Sequence, residues 1–111
     1  MRNLAKRKGV PPKGAVKALK GKALAGFKKQ LNGHWKVVRG HHLEKEYKFK
    51  NFRDALKFTN KVGRVAEAQG HHPDVFLAWG RVKLTIWDHQ TDGLTESDFV
   101  LAAKADRAQK N

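Results

Sequence analysis

The 18 residues from Phe52 to Gln69 constrain this chain's fold more than any other segment. Phe52, Ala55, Leu56, Thr59, Val62 and Ala66, widened by Phe58 and Val65, recur at helical spacing and predict one apolar face of a long amphipathic helix. Asn51 can cap its first turn, Asp54 suits the positive end of the helix dipole, and Gly70 is the expected stop. At 1.5 Å per residue such a helix is about 27 Å long. A single apolar stripe of that length must lie against another layer.

The flanking segments supply that layer. Trp35–Val38 reads as a short strand between the turns Asn32-Gly33 and Arg39-Gly40. Leu43–Lys50 alternates, with Leu43, Tyr47 and Phe49 on one side and Glu44, Glu46, Lys48 and Lys50 on the other; Lys45 is the exception on the apolar side. After the long helix come Asp74–Trp79 and Arg81–Trp87, joined by Gly80 into an antiparallel hairpin. Val82, Leu84 and Ile86 face one way; Lys83, Thr85, Trp87 and, by parity, His89 face the other. Leu24, Phe27 and Leu31 suggest a short helix over Lys22–Leu31, and Thr95–Arg107 the last helix. The order is α-β-β-α-β-β-α. The expected fold is α+β, a four-stranded antiparallel sheet with three helices on one face.

Charge divides the chain differently. Residues 1–43 hold twelve Lys or Arg and no acid, whereas the remainder has twelve basic and ten acidic residues, so nearly all of the net +14 lies in the first part. Gly9, Pro11, Pro12, Gly14 and Gly21 break any helix there. Residues 1–21 are therefore expected to form a basic extended arm, and residues 22–111 a single domain. A basic tail by itself gives salt-sensitive, unspecific affinity, so nucleic acid is not expected among the partners. There is no cysteine, hence no disulfide or thiolate site. No apolar run approaches the roughly 20 residues that span a bilayer. The expected setting is cytoplasmic, with organelle import of the Lys-rich, Ser-free arm left open.

The candidate chemistry lies between residues 67 and 98. Three imidazoles, His71, His72 and His89, fall within 19 positions. Histidine both gives and takes protons near neutral pH, and no Ser or Cys nucleophile signature or glycine-rich phosphate loop accompanies these three. Pro73 holds His72 extended, so His71 and His72 should point to opposite sides and do different work. Glu67, four residues before His71, can reach an imidazole nitrogen and fix its tautomer, or stand in solvent. Trp79 can wall a flat-ring pocket or serve packing. Asp98 is expected to be mainly structural: Thr95-Glu96-Ser97-Asp98 fits a helix start with an acid at the third position, and Leu94 with Phe99 fits a hydrophobic staple. His34, His41 and His42 read as surface residues. The adjacent His pair lacks the ligand spacing of a zinc helix, so no metal is expected.

Glu67, His71-His72-Pro73, Trp79, His89 and Asp98 resemble, in order, the signature of the pterin-4a-carbinolamine dehydratases. The similarity spans roughly Leu24 to Arg107. It includes Asn51-Phe52-Arg53-Asp54-Ala55, Val82–Ile86 and Gly93-Leu94-Thr95. The resemblance implies dehydration of 4a-hydroxytetrahydropterin to quinonoid dihydropterin, serving aromatic amino-acid hydroxylases in tetrahydrobiopterin recycling, without metal or organic cofactor. It implies His71 and His89 as the acid/base pair, His72 holding the pterin, and Glu67 orienting them. Gly70, Asp88, His89 and Gln90 would line the pterin. Pro73, Trp79 and Asp98 would support the site. Many relatives have Thr where this chain has Asp88, which could act on His89 or face water. The resemblance also implies a homodimer or homotetramer. Its rival reading is a protein-binding dimerisation cofactor of a transcriptional regulator.

Overall fold

The computed structural model describes residues 4–7, 17–31 and 33–110. A single 3-10 turn, Leu4–Lys6, precedes α1 (Gly21–Gln30), β1 (Lys36–Val38), β2 (His42–Lys48), α2 (Phe52–Gln69), β3 (Asp74–Ala78), β4 (Arg81–Ile86) and α3 (Glu96–Lys110). The strands form one antiparallel sheet in the order β1-β2-β4-β3. The two halves of the chain thus meet at β2 and β4, which pair from Leu43↔Ile86 to Lys48↔Arg81. The three helices and four-stranded sheet are those expected. Among the described residues no helix is long and apolar enough to cross a membrane.

Leu43, Tyr47, Val82, Leu84 and Ile86 form one buried sheet face against Ala55, Phe58, Val62 and Ala66 of α2 and Phe99, Leu101, Ala102 and Ala105 of α3. Alternation in the strands and the helical stripe therefore converge on one core. Asn51 caps α2 as expected, its Oδ1 accepting from the Asp54 N–H at 2.8 Å. The stripe is narrower than the sequence suggests, since Phe52 and Leu56 are exposed. Their positions lie at its edge, beyond the reach of the sheet and α3.

Lys45 faces the core because β2 alternates strictly, and Asp106 of α3 answers its charge at 2.7 Å. The same carboxylate accepts from Trp35 Nε1 at 3.0 Å and from the Tyr47 hydroxyl. Burial, and then Asp106, hold the Tyr47 phenol well above its ordinary range. Gly33, at φ +87°, passes so close that a Cβ would lie 2.7 Å from Lys45 Nζ. A buried charge is tolerated here because it is paired and hydrogen-bonded.

Two expectations are corrected. The arm is not extended over Leu4–Lys6: Leu4 and Ala5 are buried by the turn's packing on α3, and Arg7 bridges to Glu96 at 2.8 Å. Arg7 also donates to Gln30 at 3.4 Å and lies over the Phe27 ring, so apolar burial and these polar contacts together dock the turn. The rest of the predicted arm that precedes Lys17 lies outside the described residues. Trp79 does not pack into the core: it is 69% exposed at the β3–β4 turn, where the chain reverses beyond the sheet, and it borders a shallow pocket with Glu46, Lys48 and Arg81 that is separate from the His71 cavity.

Candidate active site

The site begins where α2 ends. Gly70 adopts the left-handed conformation (φ 71°, ψ 27°), and both its N–H and that of His71 turn back to the Ala66 carbonyl. This closes the helix and swings the chain across the start of α3. The Gln69 amide fixes the crossing by donating to the Ser97 carbonyl at 2.9 Å.

His71 and His72 then diverge, as the extended backbone requires. His71 is buried, and its Nε2 lies 2.5 Å from Asp98 Oδ1. His72 is exposed and pairs through Nε2 with the equally exposed Glu67 carboxylate. Glu67 therefore orients His72 and leaves His71 to Asp98.

Asp98 caps α3 as expected, and the structure adds a second contact. Asp98 is fully buried, and its Oδ2 accepts from the Thr95 N–H at 2.8 Å and from the Thr95 hydroxyl at 3.3 Å. One oxygen caps α3 while the other holds His71. The two roles coincide because the α2 terminus crosses the α3 start, a contact between residues 27 positions apart with no local signal.

The third wall is the segment after β4. An isolated bridge, Asp88↔Gly93, closes a tight loop, and Asp88 Oδ1 accepts from the Gln90 and Thr91 N–H groups at 2.8 and 3.2 Å. Asp88 does not face water: it is 5% exposed, and its Oδ2 has no hydrogen-bond partner. Burial pushes the His71 pKa down, but the Asp98 hydrogen bond and the charges of Asp98 and Asp88 more than offset this and raise it. Two carboxylates thus favour the imidazolium form of His71.

His71, His72 and Pro73 share a cavity of about 310 Å³ with Asp88, His89 and Gln90. Gly70, Asp74 and Trp87 complete the lining. This volume lies at the lower end of small-molecule sites. The His89 ring stands edge-on to Trp87 at 4.3 Å between centroids. Trp87, placed with His89 by strand parity but not singled out, and Asp74, read only as the start of a strand, are the lining residues that sequence reasoning missed.

Behind Trp87 lies a second imidazole layer, also missed. His41 and His42 contact the indole at 5.7 and 6.0 Å and each other through Nδ1 at 3.1 Å. His41 reaches Asp92 at 2.8 Å, and His42 reaches Glu44 at 3.3 Å. Burial pushes the Glu44 pKa up, but hydrogen bonds from Lys83 and His42 more than reverse it. The β1–β2 turn brings these side chains to the site's outer edge.

Two imidazoles on separate walls of one small cavity can deliver a proton to one atom of a bound ring and remove one from another. The profile of the pterin 4 alpha carbinolamine dehydratase family matches residues 17–108. The chain belongs to this family. It is 50% identical over 109 residues to the pterin-4-alpha-carbinolamine dehydratase homologue of Alkaliphilus metalliredigens, covering 98% of each chain. With the Rubrobacter xylanophilus homologue the identity is 53% over 107 residues, 96% of this chain and 99% of the other. The crystal structure of a transcriptional coactivator/pterin dehydratase from Brucella melitensis superposes with a TM-score of 0.77 at 31% identity, over 83% of this chain and 98% of that one. A pterin dehydratase-like protein identified as a RuBisCO assembly factor in the alpha-carboxysome shares the fold at a TM-score of 0.57 and 18% identity, over 68% and 87% of the two chains.

Proposed function

We propose that this protein dehydrates 4a-hydroxytetrahydropterin to quinonoid dihydropterin and water, in tetrahydrobiopterin recycling after aromatic amino-acid hydroxylation. The observation that carries this reading is a buried His71, paired with a buried Asp98, facing the same cavity as His72 and His89. In the reaction the C4a–O bond breaks, the leaving hydroxyl takes a proton, N5 loses one, and a C=N bond forms. His71, its imidazolium favoured by two carboxylates, is the general acid. His89, across the cavity and steadied by Trp87, is the base. His72, oriented by Glu67, holds the pterin, while Gly70, Asp88 and Gln90 shape its bed and Pro73 keeps His72 extended. No metal or organic cofactor takes part, and the setting is cytoplasmic.

The protein works as a homodimer or homotetramer. Exposed Val75 and Phe76 on the edge strand β3 support self-association, because an unpaired strand edge with apolar side chains invites pairing. A second reading, a dimerisation cofactor of a transcriptional regulator, draws on the likeness to the Brucella protein and its coactivator name.

The test is the decay of freshly generated 4a-carbinolamine with and without protein. Acceleration at micromolar protein, abolished in a folded His71→Ala variant, is the expected result. No acceleration would refute the enzyme.

A further inference from the structure

Between residues 44 and 111, where twelve basic and ten acidic residues nearly balance, the fold sorts charge by face. The sheet's outer face mixes signs, with Glu44, Glu46 and Lys48 on β2 against Arg81, Lys83 and Thr85 on β4. The helical side does not. Arg53, Lys57, Lys61 and Arg64 follow one another along α2 at intervals of four, four and three residues, which places them in one stripe about 17 Å long. At its far end the stripe borders a groove of about 500 Å³, where Lys104 and Arg107 of α3 form the other bank.

Ala5, Val65 and Ala108 floor the groove, and no Asp or Glu is among the described residues that line it. The helices' carboxylates are placed elsewhere. Glu67 pairs with His72, Glu96 with Arg7, Asp98 with His71 and Asp106 with Lys45. Asp54 sits in the first turn of α2, where the helix dipole favours it.

We propose that this α2–α3 ridge binds the phosphate backbone of duplex nucleic acid without sequence preference. A linear row of guanidinium and ammonium groups matches a linear polyanion, and both donate well to phosphate oxygens. The described groove lining offers no aromatic ring on which a base could stack. Its floor of two alanines and one valine is too slight to anchor the apolar face of an acidic protein helix. The site's imidazoles take no part, so this activity is independent of the dehydratase reading.

The experiment titrates the full chain into a labelled mixed-sequence duplex of about 30 base pairs, between about 50 and 200 mM salt. A variant with Lys61→Glu, Arg64→Glu, Lys104→Glu and Arg107→Glu is compared with one carrying the same charge change on exposed Lys22, Lys29, Lys36 and Lys48. The ridge variant should bind more than about tenfold more weakly and its log–log salt slope should flatten by about two to four, because each lost phosphate contact removes roughly 0.9. The scattered variant should lose clearly less, with far-UV circular dichroism unchanged in both. If the ridge variant misfolds, the milder pair Arg64→Ala with Lys104→Ala must still show the larger loss. Equal loss in the two variants would reduce the effect to net charge and overturn the proposal, as would absence of duplex binding by the unaltered chain. Ridge-dependent binding to polyglutamate tighter than to the duplex would overturn it too, and would assign the surface to an acidic polypeptide.

Discussion

His71 and His72 are neighbours in the chain, and each imidazole meets a carboxylate, yet they occupy opposite physical regimes. The His71–Asp98 pair is buried, with side-chain exposures of 9% and 0%; for His72–Glu67 the values are 60% and 77%. In low dielectric the first pair is strongly coupled and costly to split. In solvent the second is screened, and such pairs contribute little to stability. The same two residue types thus yield a proton-holding unit on one side and an adjustable binding arm on the other. Burial, and not the presence of a carboxylate, sets the difference.

That contrast is open to direct attack. The largest effect is expected at His71: replacement by Ala should lower kcat by about 10²–10⁴, the range of a lost general acid, with far-UV circular dichroism unchanged. Asp98→Ala should cost about 3–5 kcal/mol in urea unfolding, because it strands His71 and uncaps α3. Asp98→Asn, which keeps an acceptor for Thr95, should recover most of that stability while leaving turnover low. Equal stability of the two variants would show that the pairing, and not the cap, dominates.

pH sharpens the comparison next. His71 titrates higher folded than unfolded, so its pairing contributes fully below the ordinary value of about 6.5 and is lost as pH rises through the raised value. The stability gap between the unaltered chain and His71→Gln, measured by urea unfolding, should therefore shrink as pH rises above about 6.5. A gap that widens with pH would reverse the assignment. Removing the second carboxylate by Asp88→Thr should shift the alkaline limb of the kcat profile, where the general acid His71 loses its proton, to lower pH, through loss of a charge favouring the imidazolium. The smallest effect is expected on the exposed side: Glu67→Gln should change stability by less than about 0.5 kcal/mol and act mainly on KM. A stability loss as large as that of Asp98→Ala would erase the contrast.

Much of this molecule was legible before its structure. Period-2 alternation placed Leu43, Tyr47, Val82, Leu84 and Ile86 on one face, and the 3.6 period with its Asn51 cap delimited Phe52–Gln69. These are local signals, because the side-chain repeat of an element follows from its own backbone. Divergence of His71 and His72 was equally local. Asp98 was read only for its local duty as a cap; its second oxygen meets His71 through a crossing of helices that no spacing reports. Lys45 looked like an error in the pattern until Asp106, 61 residues on, answered its charge. Trp79 shows the converse: an aromatic beside a turn reads as buried unless the sheet's extent is known.

The sequence alone therefore determined the elements, their order, the apolar faces that join them, and the histidines offered for chemistry. Tertiary structure decided which carboxylate serves which imidazole, which charges are sheltered, and how the domain's cations and acids separate by face. The physical reason is range. Backbone periodicity and capping act within a few residues, whereas dielectric environment and charge pairing depend on whatever the fold brings within a few ångströms.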